Sequence, residues 1–314
     1  MKERLCRLGV WWKKKLRKIL IKANKITLPG FQGKSVYHVG NLFLQGLSKG
    51  YIADRAAAVA FNFFTALFPM LLTAFTLIPY IPIDNFQENL LYYAQVIIPP
   101  EIWDILNDTV AYIITHKLGN LLSIGFILSL YFGTNGVNSL FNAFHQTYHH
   151  FTSASNWFKQ RWYAFLILMS ALLLITIGIA ILGYGNRLIN LLMTYSPIAS
   201  KFIYYLFQSI RILLAGLVLM SVIAMTYYFA TPKKRKFLLF SPGTIISSFL
   251  IMGTTWGFSF FISNFSRYNI LYGSLGTILI LTLFLYLNSM FILIGFEINM
   301  SINSAKVGKL KVES

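Results

Sequence analysis

Charge is what this chain has least of. Of its 314 residues only 11% are Asp, Glu, Lys or Arg, where a water-soluble domain carries about a quarter. A surface facing water cannot be built from so few, which excludes a soluble globular fold. Acids are the scarcer sign, nine against 27 lysines and arginines. A single cysteine, Cys6, excludes an intrachain disulfide framework. It reads as an unmodified thiol, with palmitoylation near a membrane as the alternative. No Gly-x-Ser-x-Gly elbow and no P-loop occurs. Residues 1–50 hold no apolar stretch free of lysine that is long enough for a signal peptide.

What is present is apolar: 56% hydrophobic residues and 17% aromatic ones. They fall in charge-poor runs at about 56–83, 118–144, 162–186, 212–230, 237–262 and 273–296. Each is long enough for a helix to cross a hydrocarbon core of ~30 Å at ~1.5 Å per residue. The expected fold is an all-α membrane protein with six transmembrane helices in one domain, residues 51–302. A basic segment, 1–50, precedes it and a short tail, 303–314, follows. In the basic segment Trp12, Leu16, Ile19, Leu20 and Ala23 recur at helical spacing among six lysines and arginines. This predicts an amphipathic helix lying at the interface, with anionic lipid headgroups as its partners. The last two runs are expected to form a hairpin through a polar hinge, Ser263 to Tyr272.

The cations decide the threading. Twenty-two lie on the side of the N-terminus, the loop after span two, the turn Lys233-Lys234-Arg235-Lys236 and the tail. Four, Lys117, Arg187, Lys201 and Arg267, lie on the other. The positive-inside bias puts both termini in the cytoplasm of a bacterial cell, in its cytoplasmic membrane. This also accounts for the net charge of +18 without nucleic acid as a partner. The acid-bearing stretch from Asp84 to Lys117 is then extracytoplasmic. It reads as an amphipathic helix starting at Pro100 and Glu101, with Pro in the first turn and a carboxylate near the positive dipole end.

Polar residues inside the spans are the candidate site. Asn135, Asn138 and Asn142 share one helix stripe, with His145 and His149 continuing it. Amides facing lipid are costly, so the stripe should face protein or water, opposite Asn62 and Thr65 of span one. Together with Ser248, Thr255 and Ser259 of span five, it suggests a cavity open to the cytoplasm, interhelical hydrogen bonding being the alternative. Arg211 and Arg267 sit toward the outer side as candidate anion ligands, or, for Arg211, as a side chain reaching the interface. Glu297 near Asn299 is a candidate coupling carboxylate, or a carboxylate paired with Arg55 or Lys306. His145, His149 and His150 lack a Cys, Asp or Glu to complete a metal site, so neither a metal nor any other cofactor is expected.

Three stretches carry a resemblance. They are Arg55 to Phe61 running on to Leu67-Phe68-Pro69; Ser241-Pro242-Gly243; and Ser263-Asn264-Phe265 through Tyr268-Asn269 to Tyr272-Gly273-Ser274-Leu275-Gly276, with Gly295, Glu297 and Asn299 beyond. Together they resemble the YihY/BrkB family of bacterial inner-membrane proteins, formerly labelled ribonuclease BN, over about residues 36–302. Phe284 stands where that family often has Trp. The resemblance implies a six-helix membrane protein, and its members have been discussed as transporters, serum-resistance factors and a nuclease. Gly273 and Gly276 read as a close-packing pair, or as a helix N-terminus offering N–H groups to an anion. The expected function is transport, or translocation of a lipid, for an amphipathic or anionic substrate. A non-catalytic membrane scaffold is the alternative. A membrane ribonuclease is disfavoured, and no enzyme activity is expected.

Overall fold

The computed structural model describes residues 35–81, 87–88, 90–92, 100–147, 156–195, 200–231, 238–264 and 266–310. Among these there are helices and no strand: α1 (Val36–Lys49), α2 (Ile52–Leu77, continued by a short 3₁₀ turn), α3 (Pro100–Thr115), α4 (Gly119–His145), α5 (Trp157–Tyr195), α6 (Ser200–Ala230), α7 (Pro242–Asn264) and α8 (Ser266–Leu310). Six stretches are long and apolar enough to cross a membrane: Ile52–Tyr80, Gly119–His145, Trp157–Ile177, Gln208–Ala230, Pro242–Ile262 and Ile278–Ser304. The expected interfacial helix around Trp12, the basic turn at 233–236 and Asp84 lie outside the described residues.

Helix α1 is not foreshadowed by the basic composition of its surroundings. Ser35 caps it, its hydroxyl accepting from His38 N–H at 3.2 Å. One face closes on the far end of the chain, where Val39 is buried with Ile298 and Ile302 and flanked by Leu42 and Phe43. Gly50 and Tyr51 turn the chain into α2, Tyr51 in the left-handed region at φ 47°. A side chain on Gly50 would meet the Gly46 carbonyl and the Arg55 guanidinium, which leaves this corner to glycine.

Two helix pairs pack through small residues, as membrane helices do where no hydrophobic effect drives them together. Helix α2 lies on Gly125, Ser129, Gly133 and Gly136 of α4; a Cβ on Gly136 would come 2.9 Å from the Phe63 ring, and one on Gly133 2.8 Å from Met70. Thr73 and Ser129 share a hydrogen bond of 2.7 Å across this seam. Helices α7 and α8 run antiparallel with Gly243 against Gly295. The buried core concentrates at one end of the bundle, around Phe141, Phe144, Leu293, Phe296 and Met300, with the Phe144 and Phe296 rings stacked at 4.1 Å. Away from that end large apolar side chains such as Phe249, Trp256 and Leu279 are exposed on the surface that lipid would cover.

The helices run longer than their apolar runs. The expected ten-residue hinge at Ser263–Tyr272 is helical on both sides of residue 265, because polarity alone does not break a helix and no Gly or Pro falls between Ser263 and Tyr272. The expected loop from Arg187 to Lys201 contracts in the same way, α5 reaching Tyr195 and α6 starting at Ser200, with Pro197 in the gap.

Candidate functional site

The polar groups of highest consequence sit at the core-bearing end. Arg55, one turn into α2, and Glu297 of α8 form an ion pair at 2.9 Å although 242 positions separate them. Glu297 is fully buried and Arg55 is 6% exposed. Arg55 also donates from Nη1 to the Ala143 carbonyl at 2.6 Å, and Thr147 donates to the second Glu297 oxygen at 2.7 Å. The pair thus ties spans one and six to the last turn of span two. Arg55 Nε has no partner among the described residues. Of the two partners proposed for Glu297, Arg55 is the one found, and the carboxylate is fully buried between the helices.

Beside it lies a second network that explains the Ser241-Pro242-Gly243 stretch. Ser241 stands before the first turn of α7, where a hydroxyl satisfies an orphan N–H. It accepts from Thr244 N–H at 3.2 Å and from the Asn299 amide at 2.9 Å. The Asn299 carbonyl oxygen in turn accepts from Gly243 N–H at 2.9 Å, so α8 caps α7. Gly243 and Gly295 have no room for a side chain between them. Tyr227 of α6 closes the network, its hydroxyl 2.8 Å from Ser247 and donating to the Ile292 carbonyl at 2.6 Å.

The asparagine stripe meets different partners from those expected. Asn142 accepts from Gln160 at 2.8 Å and Asn135 accepts from Arg161, both on α5. Asn62 closes on its own helix, donating to the Ala58 carbonyl at 2.9 Å, and Thr65 does likewise to Asn62. Spacing placed the asparagines on one face but could not say which helix that face meets, and α5 is the one it meets. Asn138 is half-buried on the same helix. In span five Ser248 is buried while Thr255 and Ser259 are exposed, so these three do not line one closed wall.

At the other end, Arg211 lies within α6, which starts earlier than expected at Ser200, and falls in the first turn of the crossing stretch Gln208–Ala230. Arg267 lies in the first turn of α8. Tyr272, Gly273, Ser274 and Gly276 follow within that helix, so their N–H groups belong to its interior ladder and are not the N-terminal donors an anion would use. Pro69 lies within α2, which continues through it. His145 ends α4, and His149 and His150 fall outside the described residues. Among the described residues no three His, Cys, Asp or Glu side chains come together.

Sequence reasoning missed Thr147, Tyr227, Ser247 and Arg161. The first three carry no pattern of their own; Arg161 precedes the apolar run that starts at about 162, and the helix α5 takes it in.

Comparison with known proteins agrees with this architecture. The ribonuclease-like protein YfkH of Bacillus subtilis (strain 168) is 28% identical over 255 residues, 81% of this chain and 90% of the relative. The UPF0761 membrane protein IL2447 of Idiomarina loihiensis (strain ATCC BAA-735 / DSM 15497 / L2-TR) is 29% identical over 131 residues, 41% of this chain and 46% of the relative. No solved structure gives a significant match. The profile of the family described as Virulence factor BrkB matches residues 43–313, which takes in all six apolar helices and both polar networks, and the chain belongs to that family.

Proposed function

We propose that this multi-pass membrane protein translocates an amphipathic, anionic substrate across the bacterial cytoplasmic membrane, with the core-bearing end of the bundle in the cytoplasm. The observation that carries the reading is the buried Arg55–Glu297 pair. Ionisable groups inside membrane spans are costly, pair with one another and mark substrate and ion pathways. A buried ion pair is also a poor device for stability, since apolar residues of the same shape hold as well. It is a good device for two alternative arrangements, because parting the helices exposes both charges to water at once. Arg55 and Glu297 would then hold the cytoplasmic end closed, and their separation would open it.

Two observations support the cytoplasmic placement: the cation count of 22 against four, and the packing of α1 on the end of α8, by which the described chain starts and finishes at one end of the bundle. A scaffold remains the second reading. The satisfied Asn299–Ser241–Gly243 network favours it, since such a joint needs no motion to be useful.

Reconstituted full-length protein tests the proposal. Liposomes containing a fluorescent phosphatidylglycerol are expected to show faster exchange between leaflets with the wild type than with Arg55→Met/Glu297→Leu. Equal rates for the wild type, the variant and empty liposomes, found across a panel of anionic amphiphiles, would remove the transport reading and leave the scaffold.

A further inference from the structure

The crossing helices close on themselves as a ring. Helix α2 packs on α4, α4 on α5, α5 on α6, α6 on α7 and α7 on α8, and α8 returns to α2. At the core-bearing end contacts cross the ring: Phe144 of α4 stacks on Phe296 of α8 and meets Tyr227 of α6 edge on. What the ring encloses further along follows from the helix faces that continue these positions.

On α7, Ser247 and Phe258 point to α8, and Met252 lies against Gly216 of α6. Two faces lie between those directions. One runs Thr244, Ser248, Ile251, Thr255, Ser259, Ile262, and the other Ile246, Phe249, Gly253, Trp256, Phe260. The second is exposed along its length, the side that lipid covers. The first starts in the core, with Thr244 and Ser248 buried and Ile251 packed on the core cluster, yet Thr255, Ser259 and Ile262 are exposed. The same change occurs on three more helices. On α8, Phe296, Leu293 and Ser289 are buried, while Thr282 and Ile278 of that face are exposed. On α4, Phe144, Phe141 and Val137 give way to exposed Phe126 and Ser123. On α6, Tyr227 and Ile223 give way to exposed Ala215, Ile212 and Gln208. The ring is filled at one end and open at the other.

None of these exposed inner positions is charged. Ser123, Thr255 and Thr282 each donate to a carbonyl of their own helix, at 2.9, 2.9 and 2.8 Å, which leaves their oxygens as acceptors. At the inner end Ser248 is 3% exposed and its hydroxyl has no partner among the described residues. A buried hydroxyl calls for one.

We propose that the ring encloses a water-filled vestibule, open on the extracytoplasmic side and sealed at the core-bearing end, which takes the head of an amphipathic molecule carrying O–H donors. The hydroxyl oxygens of Ser123, Thr255 and Thr282 accept from the head, and Ile212, Ile262 and Ile278 lie along its apolar part. The choice of occupant rests on the transport reading. The opening does not, and its test involves no flux.

Single cysteines in full-length Cys6→Ser protein are exposed to a membrane-impermeant methanethiosulfonate reagent in spheroplasts. Thr255 lies nine residues, about 14 Å of helix, from the end of α7 at Asn264. Thr255→Cys, Thr282→Cys and Ser123→Cys are expected to react at least about tenfold faster than Gly253→Cys and Trp256→Cys, which sit near the depth of Thr255 on the opposite face. Only the thiolate reacts and apolar surroundings keep the thiol protonated, a pKa unit being about tenfold in thiolate. Lysophosphatidylglycerol below its micellar concentration is expected to slow the first three several-fold and leave the other two unchanged. Three helices are read independently, so one variant that fails to fold leaves the test standing. Equal rates on the two faces, or labelling only in inverted vesicles, overturn the vestibule. Rates that lysophosphatidylglycerol leaves unchanged overturn the occupant. Fast, protected labelling without lipid exchange in liposomes supports the vestibule and removes transport alone.

Discussion

Replacing Glu297 by Ala is the sharpest perturbation the structure offers. It deletes both acceptors from the pair and leaves the Arg55 charge 6% exposed, held by the Ala143 carbonyl alone, with Nε already unpartnered. Breaking a buried pair by removing one partner costs about 3–5 kcal/mol, because the remaining charge is stranded. In a protein of this size each kcal/mol moves the thermal midpoint by about 2–3 °C, so a fall of roughly 6–15 °C is expected. A thermal scan of purified full-length protein in detergent micelles reads it directly. Glu297→Gln, which keeps one acceptor oxygen for Arg55 and turns an NH₂ toward Thr147, whose hydroxyl can accept, should fall less. Arg55→Met/Glu297→Leu removes both charges with little change in volume and should sit near the wild type or above it. The reasoning fails if Glu297→Ala melts within about 2 °C of the wild type. It fails also if the double variant drops by the sum of the two singles, since coupling between the sites is the whole argument.

Other outcomes follow from single contacts. Gly295→Ala would drive a methyl group into Ser247 and the Gly243 carbonyl and should cost about 3 kcal/mol; Gly253→Ala, with open space around it, should be neutral or gain up to ~1 kcal/mol, and the same thermal scan separates the two. Tyr227→Phe loses the bonds to Ser247 and the Ile292 carbonyl and should cost about 1–3 kcal/mol, with a less than additive effect in combination with Ser247→Ala. The proposed threading predicts that a membrane-impermeant maleimide labels Cys6, the chain's one cysteine, in inverted vesicles and not in intact spheroplasts. The opposite labelling pattern would reverse the orientation.

How far the fold could be read from residues depended on what each signal measures. Charge-free runs report hydrocarbon, so the six crossings were legible. They do not report where a helix ends, so α5, α6 and α8 continue through polar residues such as Arg187, Lys201 and Arg267. Helix α1 was hidden for the converse reason: its apolar face, Val39, Leu42, Phe43 and Leu47, is too short for a crossing and lies within a basic segment. Arg55 is legible as a partner of Glu297 because a lone acid at the inner end of a span has few bases at its own depth. The asparagine stripe was legible as a period and illegible as a contact. Periodicity fixes which residues share a face and says nothing about which helix that face meets. Only the folded packing of α4 on α2 through glycines, which fills one side of α4, leaves the stripe to α5 and so brings Asn135 to Arg161.

That arrangement sets two arginines of the same bundle in opposite electrostatic states. Arg55 is buried and neutralised by a carboxylate on a helix distant in sequence. Arg161 is half-buried and, among the described residues, meets only neutral oxygens and a ring face. Cost alone does not explain the difference, since an arginine in a span is expensive in either place and is removed by any apolar substitution. A joint that only holds helices together would be served by the first kind, and it would gain nothing from the second. The completed pair is therefore the one on which the proposed work of the chain turns: Arg55 with Glu297 sets when the bundle opens.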